Sequence, residues 1–176
     1  MSLARTAITT NRLVLRPTSG ADVGRALEIQ SDWEVTRMLR MASFPPDRQA
    51  ICDWFGDHQR EWCAGEAYRF AVEVEGRMAG LVDIDEIAGS EGDLGYWFEK
   101  AAWGHGYAFE AAQAVVGFAL ENVGLSTLKS GHAADNPASG RILTKLGFTP
   151  AGTIELFSRS RGENIQQCRY ALMSAR

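Results

Sequence analysis

The sequence predicts one α/β domain in which a mixed sheet carries helices on both faces. Three observations carry that expectation. Short apolar runs alternate with polar residues at a period of two, as half-buried strands do. Between some of these runs lie longer segments with the 3.6-residue apolar spacing of helices, bounded by glycine or proline. The chain has 176 residues and is 45% hydrophobic, enough to fill one core and too little for two. A single domain over residues 1–176 is therefore expected. The order mixes hairpins with strand-helix-strand units, so the sheet should be mixed rather than purely parallel.

The elements follow in order. Arg12-Leu13-Val14-Leu15-Arg16 alternates and stops at Pro17, which reads as a first strand. Ser19 offers an N-cap, and Val23, Ala26, Leu27 and Gln30 suggest a short helix. Pro45-Pro46-Asp47 opens the next helix, whose Ile51, Trp54, Phe55, His58 and Trp62 share one face before Gly65 ends it. Tyr68, Phe70, Val72 and Val74 alternate with Arg69, Ala71 and Glu73. Glu75-Gly76-Arg77 turns the chain into a second arm over 78–87, a loop follows over 89–92, and 93–98 is a further strand. A glycine-bearing loop then runs into an apolar-striped helix over 109–120, closed by Gly124. After a strand over 127–133, Asn136 is the N-cap and Pro137 the first residue of a helix that Gly147 closes. Two last strands, 149–157 and 165–173, flank a turn at Arg161-Gly162, giving about seven strands in all.

Composition excludes several functions. No apolar run approaches the ~18 residues that cross a bilayer, and the opening Met1-Ser2-Leu3-Ala4-Arg5 lacks the apolar stretch of a secretory leader. No membrane role is expected. Cys52, Cys63 and Cys168 are odd in number and not motif-spaced, which suits reduced thiols in a cytoplasmic protein. His58, His105 and His132 are scattered, so no metal site is expected. A net charge of -4 argues against nucleic acid as a partner. It suits a cationic amine substrate only weakly, and ordinary solubility is the better explanation.

The chemistry-bearing stretch is the strand, loop and helix from Asp93 to Leu120. A helix start leaves main-chain N–H groups unpaired and carries partial positive charge. Glycines ahead of it let a ligand approach the backbone, and the pair of features makes an anion cradle. A tight turn without a ligand is the alternative. The P-loop is excluded because Tyr107-Ala108 follows Gly106 where Lys-Ser/Thr is needed. The dinucleotide fingerprint is excluded because Phe109 stands where its third glycine belongs.

Tyr96-Trp97-Phe98, followed by Trp103-Gly104-His105-Gly106-Tyr107-Ala108-Phe109-Glu110-Ala111, resembles the GNAT superfamily of N-acetyltransferases, and within it the RimJ/RimL-like branch. Asn136-Pro137-x-Ser139 and Leu143-x-Lys145-Leu146-Gly147-Phe148 resemble that branch's later motif, and Arg12-Leu13-x-Leu15-Arg16 opens the chain as such proteins open. The Gly162 turn and Tyr170 close it similarly. The resemblance spans nearly the whole chain. It implies a mostly antiparallel central sheet and an acetyl-CoA-dependent N-acetyltransferase with acetyl-CoA as cosubstrate and no metal. The acceptor it implies is a protein N-terminus or a small amine. Related proteins are often homodimers, so a homodimer is an expectation of the same kind.

Residue by residue, the resemblance implies that main-chain groups of Trp103, Gly104, His105, Gly106, Tyr107 and Ala108 hold the pyrophosphate. The main chain of Trp97 and Phe98 should run beside the pantetheine arm. Asn136 should bond the pantetheine, and Ser139 should lie near the thioester sulfur. As alternatives, Asn136 is an adequate N-cap, Ser139 a plain first-turn residue and Trp103 a packing residue. Acetylation needs a neutral amine, so a carboxylate base is sought. Candidates are Asp83, Asp85 and Asp93, with Asp85 the first choice and Asp93 the second; solvated surface positions are the alternative. Alternation places Asp83, Asp85 and Ile87 on one face and Ile84 and Glu86 on the other. The branch's relatives often carry a tyrosine acid on the last helix, where this chain has Leu143, leaving Ser139 as a donor to the thiolate. That gap keeps a non-catalytic acetyl-CoA sensor open as a second reading, and a nucleotide-binding protein using the same loop as a third. Specificity is expected from the first two helices and the Arg161-Gly162 turn, with Trp33, Phe44, Trp54 and Trp62 as core residues first and pocket walls second.

Overall fold

The computed structural model describes residues 2–175; Met1, part of the opening read above, and Arg176 lie outside them. The strands are β1 Ile8–Thr9, β2 Leu13–Pro17, β3 Tyr68–Val74, β4 Arg77–Ala88, β5 Glu91–Phe98, β6 Thr127–Ala133, β7 Thr149–Ser158 and β8 Glu163–Met173. The helices are α1 Val23–Gln30, α2 Trp33–Thr36, α3 Arg48–Ala64, α4 Tyr107–Phe118 and α5 Pro137–Lys145. All eight strands form one sheet in the order β1-β2-β3-β4-β5-β6-β8-β7. Every neighbouring pair is antiparallel except β5 and β6. The parallel step belongs to the one crossover that carries α4 between adjacent strands. Among the described residues no helix is long and apolar enough to cross a membrane.

Helices cover both faces, as expected. One core sets Val23 and Ala26 of α1 and Ile51 and Phe55 of α3 against Ala71, Met78 and Leu81. The other sets Ala111, Ala112 and Val115 of α4 and Leu143 of α5 against Phe70, Val82, Ile84 and Leu94. Trp62, at the far end of α3, joins this second core, packing edge-on against Tyr68 and Phe70.

The helix signals act as their chemistry requires. Asp47 caps α3, its carboxylate accepting from the N–H groups of Gln49 and Ala50, and Gly65 closes the helix at φ 71°. Ser19 and Asp22 form a reciprocal capping box on the turn that leads into α1. Four places along the chain differ from expectation. The eighth strand, β1, has two residues, too few to show a period. The helix α2 is a single turn capped by Asp32. The β5 strand absorbs Glu91 and Gly92 from the expected loop, and α4 begins two residues before 109 and passes into a wide turn at Ala119–Val123. The fourth is in β4. Glu86 takes φ 48° and the register shifts between Asp85 and Ala88. This bulge breaks the alternation, so Ile87 packs with Ile84 and not on the Asp83 face.

Candidate active site

The site begins where two strands part. β5 and β6 pair only over Glu91–Asp93 and Thr127–Lys129, and Ser130 Oγ then donates to Leu94 O at 2.8 Å. Beyond that wedge the strands splay. Glu99 N–H donates to Ala79 O on the β4 side. Backbone alternation therefore turns the main-chain groups of Tyr96 and Phe98 toward the gap. The Trp103 indole donates to Phe98 O at 3.0 Å, so Trp103 is a tether from the loop to the strand.

The gap opens into a cavity of about 560 Å³. Trp97, Phe98, Trp103, Gly104, Gly106, Tyr107 and Ala108 line it from β5 and the loop, and Asn136 and Ser139 line it from α5. His105 does not: its ring is exposed, and its carbonyl accepts from Arg12 on the outer side. Gly104 and Gly106 have φ of 80° and 79°, which a residue with a Cβ rarely adopts. A Cβ on Gly104 would meet nothing within 4 Å, so the loop borders open space. The first helical bond of α4 runs from Glu110 N–H to Gly106 O. The N–H groups of Tyr107, Ala108 and Phe109 ahead of it have no acceptor within the helix. Open space, free donors and the helix dipole together fit a diphosphate.

On α5, Asn136 occupies the N-cap position, yet its side chain makes no cap bond and is free toward the cavity. Ser139 is buried, and its Oγ lies 2.7 Å from the Tyr96 hydroxyl. Burial pushes the Tyr96 phenol up to about 12, against the opposing pull of the Ser139 bond, so it stays protonated. Tyr96 entered the sequence argument only as part of a motif; its contact with Ser139 needs two elements that are 43 residues apart. Leu143 is fully buried and offers no acid. His132, also on the cavity wall, gave no motif signal. Its Nδ1 lies 2.7 Å from Ala133 O, so it donates there and leaves Nε2 as the acceptor.

None of the three candidate carboxylates, Asp83, Asp85 and Asp93, is itself on the cavity wall. Asp93 is paired with Arg169 at 3.2 Å, and Asp85 lies 3.3 Å from Arg69. Asp83 is buried, with Oδ2 accepting from Arg69 Nη1 at 2.6 Å. Its Oδ1 makes no hydrogen bond among the described residues and faces Gly95, itself on the cavity wall. Burial pushes the Asp83 carboxyl up to about 7, with Arg69 pulling the other way. His58, by contrast, is a core residue held neutral: burial drives it down to about 3.

The far wall of the cavity is α2 and the residues after it: Glu34, Val35, Met38 and Leu39. The Arg161 turn meets the residues just after α2, whereas neither α1 nor α3, the two helices expected to set specificity, lines the cavity. Arg161 donates to Arg37 O and clasps Asp135, which also pairs with Arg37. None of Trp33, Phe44, Trp54 and Trp62 lines the cavity. Trp62 is core, whereas Trp33 and Phe44 pack against each other, tilted, at the surface.

Comparison with known proteins agrees with this geometry. A family described as acetyltransferase (GNAT) domain matches residues 12–149. The uncharacterized N-acetyltransferase p20 of Bacillus licheniformis is 25% identical over 177 residues, covering 93% of this chain and 94% of that protein. The N-acetyltransferase YoaA of Bacillus subtilis is 25% identical over 173 residues, covering 95% and 96%. The RimL ribosomal L7/L12 α-N-protein acetyltransferase solved with coenzyme A superposes with a TM-score of 0.86 at 17% identity, covering 96% of this chain and 98% of that one. The microcin C7 self-immunity acetyltransferase MccE, solved with acetyl-CoA and AMP, gives 0.85 at 16% identity, covering 98% and 99%.

Proposed function

The chain belongs to the GNAT acetyltransferase family, and on that premise we propose that it moves the acetyl group of acetyl-CoA directly to a primary amine, as one domain over residues 1–176. The observation that carries this reading is a single cavity with an anion cradle at one end, an unpaired strand edge along its side and a separate wall, α2, opposite. Among the described residues no cysteine lines that cavity, which favours direct attack over an acyl-enzyme.

The coenzyme supplies an activated acetyl thioester, and the chain's residues do the rest. Amides of the loop and of the first turn of α4 grip the diphosphate. The Tyr96 and Phe98 main chain and the Asn136 side chain align the pantetheine arm. The gap-facing amides of β5 are the donors available to a developing oxyanion. Ser139, held by Tyr96, is the donor nearest α5 for the departing thiolate. Asp83 replaces Asp85 and Asp93 as the base that takes the ammonium proton, through water past Gly95. The acceptor enters along α2, where Glu34 is an acidic group at the cavity mouth. Because RimL is a ribosomal L7/L12 α-N-protein acetyltransferase, a protein N-terminus is the first acceptor to test and small amines the second.

The test couples turnover to the cradle. Thiol release from acetyl-CoA is followed with a panel of peptide N-termini and small amines; turnover on at least one is expected. Tight coenzyme binding without turnover on any would favour the sensor, whose support is Leu143 in place of a tyrosine. Gly106→Val is a poor probe because valine at φ 79° strains the backbone whatever it blocks. Ala108→Glu is cleaner. A carboxylate in the first turn suits the helix dipole but repels a diphosphate, so coenzyme affinity should drop roughly tenfold or more with the melting temperature held. Parental affinity in that variant would end the cradle reading.

A further inference from the structure

The opening Arg12-Leu13-x-Leu15-Arg16 motif has no part in the chemistry above, and neither arginine lines the cavity. The two arginines do different things. Arg16 is internal mortar: it makes a two-pronged pair with Asp22 at 2.7 and 2.9 Å and reaches Glu73 at 3.0 Å. Arg12 instead reaches the loop 93 residues away, where Nη1 donates to His105 O at 2.8 Å.

Its other contacts fix it there. Nε and the main-chain N–H of Arg12 donate to the two carboxylate oxygens of Glu110, at 2.9 and 3.1 Å. Thr10 Oγ1 donates to the same carboxylate at 2.8 Å. The guanidinium lies over the Tyr107 ring, 4.6 Å from its centre. Hydrogen bonds from Arg12 and Thr10 outweigh the burial that opposes them and hold Glu110 below the usual carboxylate range, so it stays charged.

The consequence lies in one peptide plane. In a trans peptide the C=O of one residue and the N–H of the next point in opposite directions. Holding His105 O outward on Arg12 therefore turns Gly106 N–H inward, and Gly106 is on the cavity wall. Gly106 is also the residue with the conformational freedom to flip, since glycine alone passes readily between these backbone regions. We infer that Arg12, held by Glu110, is a positioning residue that sets coenzyme affinity from outside the cavity by aiming the Gly106 amide at the diphosphate. This rests on the coenzyme reading above.

The experiment measures coenzyme A affinity by calorimetry and steady-state kinetics on R12A, R12K, E110Q and R16A. R12A should weaken coenzyme A by about ten- to a hundredfold, the effect of one misaimed hydrogen bond to a charged group. The KM for acetyl-CoA should rise in step, with kcat at saturation kept. E110Q, which keeps the shape and removes the charge, should move the same way by less, and it carries the test if R12A does not fold. Lysine can pair with Glu110 but cannot fork to His105 O as well, so R12K should recover stability more than affinity. R16A should lower the melting temperature and leave coenzyme affinity at the parental value. Parental affinity in both R12A and E110Q, or an equal loss in R16A, would overturn the inference. A parent that bound no coenzyme would overturn it together with the functional reading, whereas binding by the parent with unchanged variants would sink the inference alone.

Discussion

A Cβ on Gly95 would stand 2.8 Å from Asp83 Oδ1, so that oxygen lies directly behind Gly95, a residue of the cavity wall. The same carboxyl is buried beside one arginine that it shares with Asp85 and with a two-pronged contact from Glu61. Burial favours its neutral form, which raises its proton affinity toward the range where a base is most effective. A base acts deprotonated, so activity should climb with pH through neutrality and level off above it. Asp83→Asn should lower kcat/KM by about 10²- to 10⁴-fold and flatten that limb. Asp85→Asn should keep the limb, because that carboxylate is partly exposed and stands opposite Asp93, away from Gly95. A pH-rate profile of the three proteins decides: an unchanged limb in Asp83→Asn would return the base to another group. The sequence placed Asp83 and Asp85 on one strand face but could not rank them, since the ranking depends on Gly95 of the neighbouring strand.

At the scale of elements, local signals and long-range contacts divide cleanly. Caps and glycine stops were legible because their chemistry is local: Ser19, Asp47, Gly65, Pro137 and Gly147 each act within a turn of their own position. The β4 bulge was not, because Glu86 at φ 48° is a choice made by sheet geometry and not by glutamate. The single turn of α2 was equally silent, being too short for a period, yet it begins the acceptor wall of the cavity. α3 has the opposite character, a long buttress with no residue on that wall. Asp47→Ala should therefore cost about 1 kcal/mol of stability, seen as a melting temperature lower by roughly 2–4 °C for a chain of this size. Turnover at low temperature should be unchanged. A loss of activity without a loss of stability would mean that α3 shapes the site.

The whole molecule is a sheet opened like a book. Its two halves are held at the pleat by three residue pairs of β5 and β6, and at the far side by Asp135 between Arg37 and Arg161. Hydrogen bonds from Arg161, and to a smaller extent from Arg37, hold Asp135 below the usual carboxylate range, so this clasp is charged near neutrality. A coenzyme laid along the open edge, as proposed, would bond to both halves at once, and linkage makes that a stability measurement. At 100 times its dissociation constant a ligand of the folded state adds about 2.7 kcal/mol, or roughly 5–10 °C here. Acetyl-CoA should give that shift in a thermal melt, and ATP and NAD should not. An equal shift with ATP would favour the nucleotide-binding reading of the same loop.

What the sequence determined by itself is whatever short-range chemistry specifies. Periodicity set the strands and helices, and glycine and proline set their ends. The spacing of Gly104 and Gly106 before a helix pointed to the proposed anion cradle, because a main-chain site needs backbone freedom more than particular side chains. Only the tertiary structure decided which side chains serve that cradle. Arg12 meets Glu110 across 98 residues, Tyr96 meets Ser139 across 43, and Asp83 sits against a glycine of another strand. The physical reason is that a hydrogen bond or a shifted proton affinity depends on distance in space, and distance in space is fixed by how the sheet pairs and splays.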